Sequence, residues 1–253
     1  MDGADPDHWS TVAASWAELW GGFAEPAWHA ILDASGVVPG ARLLDVGCGA
    51  GDLLAYAAAR GLAVAGIDPA PGMVEYARAR LPGADIRLGS AERLPWPDAT
   101  FDLVVSVNAL QFAEDTLEAL AEFVRVTTAV AGYVAIANWA EGSQNDLDTI
   151  EAAVAHADGE EPMPDGELRQ PGGLERLLAE GGLELVTAGL VRLPWHASDD
   201  DTLARGVLLG EDPDTIAARA PIVLAAARPY RTEDGRYRLV NAFRYAVGRR
   251  PER

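Results

Sequence analysis

The chain has 253 residues, 49% of them hydrophobic, which suits one α/β domain with a sizeable core and excludes a disordered chain. Its 20 basic residues are all arginine and face 39 acidic ones, for a formal net charge of −19. A surface of that sign repels phosphate backbones and anionic headgroups, so nucleic acid and anionic membranes are excluded as expected partners.

In chain order, Trp9, Ala13, Trp16 and Trp20 recur at spacings of three and four and predict an amphipathic helix. Gly21-Gly22 breaks it, and a second helix is expected over Pro26–Ala34. Strands and helices then alternate. Arg42–Val46 reads as a strand, Leu53–Arg60 as a helix, Ala63–Ile67 as a strand and Gly72–Arg80 as a helix. Asp85–Leu88 and Phe101–Val107 are the third and fourth strands, followed by a helix over Thr116–Val126 and a fifth strand over Gly132–Asn138. Leu174–Ala179 is helical, Leu183–Leu193 is the sixth strand and Tyr237–Val247 the last. Repeated strand–helix units predict a mostly parallel sheet with helices on both faces.

Two stretches leave that rhythm. Residues 142–173 hold one helical piece, Leu147–Ala157, and an acidic, proline-rich loop; Ser198–Arg231 is helical and precedes the last strand. Both read as excursions from a single domain over residues 1–253, with a helical lid at 1–35 and a cap insertion at 198–231. Met1–Asp7 is acidic and lacks the basic-then-apolar pattern of a signal peptide, and no window is long and apolar enough to span a bilayer. A cytoplasmic location is expected. The lone cysteine, Cys48, excludes an intrachain disulfide and a Cys-based metal cluster, and reads as a small buried hydrophobe.

The run Asp45-Val46-Gly47-Cys48-Gly49-Ala50-Gly51 closes a strand and opens a helix. Glycines there permit a tight turn and close approach of a ligand to the backbone. Asp68 ends the next strand about 20 residues on, where a carboxylate can grip ribose hydroxyls. The spacing is Gly-x-Gly-x-Gly rather than the Gly-x-Gly-x-x-Gly of nicotinamide sites, which seats a pyrophosphate on the helix start. Asp45 would repel a pyrophosphate and suits the positively charged end of an aminoacyl sulfonium.

On these residues the chain resembles the class I methyltransferases that use S-adenosylmethionine (SAM), in particular the bacterial group acting on small molecules. The likeness covers roughly residues 42–138 and continues more loosely to 171–193 and 239–250. It implies a Rossmann-like seven-stranded sheet, mostly parallel with an antiparallel last strand, and SAM as cofactor, leaving as S-adenosylhomocysteine (SAH). Asp45–Gly51 is similar to the family's cofactor loop, so Asp45, Gly47, Cys48, Gly49 and Gly51 are implied contacts. Asp68 takes the ribose position, with Pro69 and Met73 following. The segment 89–98 resembles the loop at the adenine edge and implies Ser90, Ala91 and Glu92. Residues 108–112 resemble the segment beneath the methionine part and imply Asn108 and Leu110. One departure stands at Ser90, where the family usually has an aspartate; a neutral hydroxyl accepts a weaker hydrogen bond.

Methyl transfer from a sulfonium needs positioning above all, and a base only where the nucleophile must lose a proton. The family therefore has no universal catalytic residue to carry over. The family's sheet order directs attention to Trp139, Trp195, His196 and Tyr237 as the acceptor pocket, with His196 as the candidate general base because imidazole titrates near neutrality. The N-terminal helices are expected to cover the cofactor, and Trp9 to face it. The histidines show no metal-ligand spacing, so no metal is expected. The whole predicts a SAM-dependent methyltransferase moving a methyl group to an apolar or aromatic small molecule, as monomer or homodimer. The Ala- and Arg-rich, Lys-free usage suggests a high-GC bacterial source, and a natural-product role follows by association only. Three alternatives stay open: a SAM enzyme of the same fold catalysing cyclisation or decarboxylation, a non-catalytic SAM-binding module, and a nicotinamide dehydrogenase that the glycine spacing disfavours.

Overall fold

The structure is a computed structural model and describes residues 5–251, so residues 1–4 of the expected lid and residues 252–253 lie outside the described residues. Helix α1 (Pro6–Leu19) starts as its sequence dictates: Asp5 caps it through the Asp7 amide, and Pro6 occupies the first turn, where its missing N–H costs nothing. Gly36, left-handed at φ 62°, ends α2 (Glu25–Ser35). Then come β1 (Arg42–Val46), α3 (Asp52–Ala58), β2 (Ala63–Asp68), α4 (Pro71–Arg80), β3 (Asp85–Leu88), β4 (Leu103–Val107), α5 (Thr116–Val126) and β5 (Tyr133–Trp139). The chain continues through α6 (Asp146–Ala157), α7 (Gly173–Glu180), β6 (Glu184–Ala197), α8 (Asp200–Val207), α9 (Pro213–Ala226) and β7 (Tyr237–Arg249).

The strands form one seven-stranded sheet in the order β3-β2-β1-β4-β5-β7-β6. The first five pair in parallel, and β7 is antiparallel to both its neighbours, as expected. The central strands are buried on both faces, which explains their unbroken apolar runs. Leu43, Val105 and Ala135 pack toward α2, α3 and α4, while Leu44, Val104 and Val134 pack toward α5 and α7.

Two departures from the predicted elements matter. The fourth strand starts at Leu103, because Phe101 makes only an isolated bridge to Thr127. The sixth strand runs past Leu193 to Ala197 and pairs with β7 as far as Tyr237. Pro194 does not stop it, because β6 is the edge strand and its outer side needs no N–H donor. The β6–β7 ribbon thus projects beyond β5, whose last partner on β7 is Phe243. Around it α6, α8 and α9 gather a second core of Trp195, Tyr237, Leu239, Leu203 and Val223, joined by Trp20 just past the end of α1. The predicted helical excursion is two helices, separated by Gly210 in the left-handed region and a new cap at Asp212.

Candidate functional site

The carboxyl ends of β1, β2 and β4 open into a cavity of about 1020 Å³. Its floor is the turn after β1. Gly47 is left-handed (φ 76°), and a Cβ there would lie 2.2 Å from the Ala109 Cβ, so no side chain fits. Gly49 is also left-handed (φ 49°) and lines the cavity, but a Cβ there meets nothing within 4 Å. The absent side chain of Gly49 leaves room that a ligand can fill.

Asp68 ties this turn to β2. Its carboxylate accepts hydrogen bonds from the Gly49 amide (2.8 Å) and from the Ala70 amide (2.9 Å). Burial pushes its pKa above the usual carboxylate value, and the two amides pull it back. Each oxygen keeps a free lone pair, enough to accept two ribose hydroxyls. Asp45 is only 3% exposed and lines the same cavity. Burial first, then the charges of Asp68 and Asp52, push its pKa up to about 8. A buried carboxylate without a cationic neighbour suits a positively charged ligand. Burial likewise raises the Cys48 thiol, which makes it a poor nucleophile.

The opposite wall comes from the β2–α4 connection, the start of α4 and the loops after β3 and β4. Pro69, Met73, Ser90 and Ala91 line it, with Asn108 and Leu110 beneath. Asn108 sits in the left-handed region (φ 55°), and its side-chain oxygen accepts from the Gln111 amide nitrogen. Glu92 also lines the cavity, but its carboxylate accepts from the amides of Glu114 and Asp115. It therefore clasps the two loops together. Helix α1 closes the top with Trp9 and Trp16; the Gly72 amide donates to the Ser10 hydroxyl and locks α1 against α4.

Five expected site residues stand elsewhere. A Cβ on Gly51 would meet Ala77 of α4, so Gly51 lets α3 and α4 pack closely, and it does not line the cavity. Trp195 is buried in the second core, stacked on Trp20 at 4.3 Å, and donates to the Leu19 carbonyl. Tyr237 is buried there too, its hydroxyl donating to Asp200. Trp139 packs between Phe23, Phe243 and Trp20 and does not reach the cavity surface. His196 alternates outward from Trp195 on the ribbon and is exposed. The expected acceptor pocket of Trp139, Trp195, His196 and Tyr237 is corrected accordingly: the ribbon overshoots the sheet, and its apolar residues feed the second core.

The cavity is walled as well by Trp16, Trp20, Gly21, Phe23, Ala24 and Trp28 from α1, α2 and their turn, together with Asp52 and Leu53 from α3. Phe23, Trp28 and Asp52 carried no site reading in the sequence. The aromatic spacing through Trp9, Trp16, Trp20, Phe23 and Trp28 was the available signal, since it continues across the Gly21-Gly22 break onto one side of both helices.

The parallel core, the glycine turn and the Asp68 carboxylate define an α/β protein that binds an adenosyl-type ligand at the carboxyl ends of its strands. Residues 44–136 match the family model described as a methyltransferase domain. The chain is 39% identical over 109 residues to the malonyl-[acyl-carrier protein] O-methyltransferase of Serratia marcescens, covering 43% of this chain and 42% of that protein. It is 39% identical over 97 residues to the demethylmenaquinone methyltransferase of Renibacterium salmoninarum, covering 38% of this chain and 41% of that one. The matches thus span about two-fifths of these relatives. Among solved structures, the YcgJ protein of Bacillus subtilis aligns at a TM-score of 0.59 with 16% identity, over 90% of this chain and 99% of that one. The [4+2]-cyclase SpnF aligns at 0.58 with 20% identity, over 90% of this chain and 81% of its own; at such identities the likeness is one of fold. Over its cofactor-binding part the chain is thus similar to SAM-dependent methyltransferases, and SAM is the cofactor that this likeness implies.

Proposed function

We propose that the whole chain acts as one enzyme domain that transfers the methyl group of SAM to a small, largely apolar or aromatic acceptor. The observation that carries this reading is a single cavity in which buried, unmatched carboxylates meet an aromatic wall. Asp45 faces the cationic end of the cofactor, Asp68 holds the ribose, and Ser90 and Ala91 border the adenine. The Gly47–Gly49 turn and the Asn108–Leu110 segment frame the rest, with Trp9 over the sulfonium. The cofactor supplies a methyl group already activated by positive sulfur. The chain's own residues orient the acceptor and exclude water, which are the main sources of rate in such a displacement.

The relatives' names point to different acceptors, malonyl-[acyl-carrier protein] and demethylmenaquinone. Support for an uncharged or cationic acceptor comes from the wall itself: among the described residues lining the cavity, Arg93 is the one cationic side chain, and it belongs to the loop after β3 rather than to the aromatic end. Incubation with methyl-labelled SAM and a panel of aromatic amines, phenols and carboxylates tests the reading. Label in an extractable product, with stoichiometric SAH, is the expected result. Tight cofactor binding with no label transferred to any class would instead favour a reaction without methyl transfer, as the SpnF neighbour's name illustrates.

A further inference from the structure

The aromatic end of the cavity has a distinctive chemistry. Trp16, Trp20, Phe23 and Trp28 line it, with Trp16 and Phe23 6.2 Å apart and Trp20 and Phe23 5.1 Å apart between centroids. Asp52 lines the same cavity. Its carboxylate reaches the α1–α2 turn, where a Cβ on Gly21 would lie 2.8 Å from the Asp52 oxygen, and Arg80 holds it from behind. The Asp52 side chain keeps 18% exposure, so the ion pair does not seal it off. No His, Lys or Tyr lines the cavity among the described residues. The one thiol, Cys48, is buried at the turn.

These features constrain the acceptor atom. An alcohol or phenol must lose a proton as it attacks, and the aromatic end offers no imidazole, amine or phenolate to take it, only the Asp52 carboxylate, which is already engaged by Arg80. A carboxylate acceptor would need a cationic partner, and this end has none facing it. A neutral amine needs neither. Its lone pair forms the new C–N bond while the methyl–sulfur bond breaks and that electron pair stays on sulfur, so one positive charge moves from sulfur to nitrogen. Ring faces and a nearby carboxylate stabilise that arriving charge.

Resting on the methyltransferase reading above, we propose that the acceptor atom is an amine nitrogen carried on an apolar or aromatic body, and that the Trp16–Trp20–Phe23–Trp28 wall with Asp52 is its cation-recognising compartment. The product leaves as an ammonium ion, and a protonated acceptor gives up its proton to solvent before it attacks. Asp52 here orients the substrate; it is not consumed in the step.

The test uses the full chain saturated with SAH. Phenyltrimethylammonium and its uncharged isostere tert-butylbenzene are titrated in, with tryptophan fluorescence as the readout. The cation is expected to bind about tenfold or more tightly than the isostere, the preference expected of a desolvated aromatic site. Asp52→Asn, checked for folding by circular dichroism, is expected to remove most of that preference while leaving SAH affinity within about threefold, a spread smaller than one hydrogen bond to a charged group. Equal or tighter binding of the isostere to the wild-type chain, or no binding of the cation, overturns the amine assignment while leaving the cofactor reading intact. Failure of SAH itself to bind, measured first in the same sample by calorimetry, overturns both.

Discussion

The amide of Gly49 donates to the carboxylate of Asp68 across 2.8 Å, joining the turn after β1 to the end of β2. One side chain thus shapes the glycine turn and presents lone pairs to a ligand. Asp68→Ala is expected to weaken SAH binding by about 1–3 kcal/mol, a factor of several to over a hundred, from lost ribose hydrogen bonds. Asp68→Asn keeps one acceptor oxygen and is expected to fall between the two. Calorimetric titration of the three proteins with SAH checks the order; equal affinities would remove Asp68 from the site.

Asp45 gives a pH dependence with a definite sign. Its pKa is raised from an ordinary 3.8 to about 8 in the folded chain, so the folded state holds a proton that the unfolded state releases. Stability from this group is complete below the unfolded value and is lost progressively as pH rises toward the folded one. Asp45→Asn escapes that loss and is expected to melt at a higher temperature than the wild type at neutral pH and above, while binding SAM more weakly. A cationic cofactor favours the ionised carboxylate, so binding releases a proton. The wild-type affinity for SAM is expected to rise with pH by up to about tenfold per unit below about pH 8 and then level off. Calorimetry in buffers of different ionisation enthalpy measures the proton released; a pH-independent affinity would contradict this account of Asp45.

His196 sits exposed on the ribbon, outside the cavity. His196→Ala is therefore expected to leave SAH binding unchanged and methyl transfer within about twofold, as for other exposed substitutions. A larger loss in kcat would return this histidine to the site.

Trp20 joins the lid to the second core. It stacks on Trp195 with rings 5° from parallel, and its indole N–H donates to the Gly206 carbonyl. Gly206 itself must be glycine, because a Cβ would lie 2.4 Å from the Trp195 ring. Trp20→Ala is expected to cost about 3–5 kcal/mol of stability, read by denaturant unfolding, because it empties a filled aromatic stack. Trp20→Phe is expected to cost less, losing the hydrogen bond and part of the stack.

The sheet and the cofactor end were legible in the sequence because local chemistry dictates them. Buried parallel strands show as apolar runs at Arg42–Val46 and Leu103–Val107, and the turn after β1 needs glycine at Gly47 for steric reasons. The acceptor end was not legible in the same way. Trp195 and Tyr237 flank strand termini and look like pocket residues, yet the register of β6 against β7 carries them past the sheet into a second core. The sixth strand is expected to end at Leu193, and only the edge position of β6 explains why pairing continues through Pro194. Trp20 falls on the stripe of the predicted lid helix and Phe23 carries no site reading, yet both pack with a core cluster and also line the cavity. Asp52 carries no site reading in the sequence, because its place at the cavity depends on the α1–α2 turn folding down over it, a contact more than 25 residues distant in sequence.

The central claim is that this cavity is built for an adenosyl sulfonium cofactor through Asp45, Asp68 and the Gly47–Gly49 turn. Titration calorimetry of the full chain with SAH and, separately, with NAD tests it most directly. The account predicts one SAH bound per chain, no NAD binding, and SAH binding strongly weakened by Asp68→Ala. Binding of NAD without binding of SAH would contradict it.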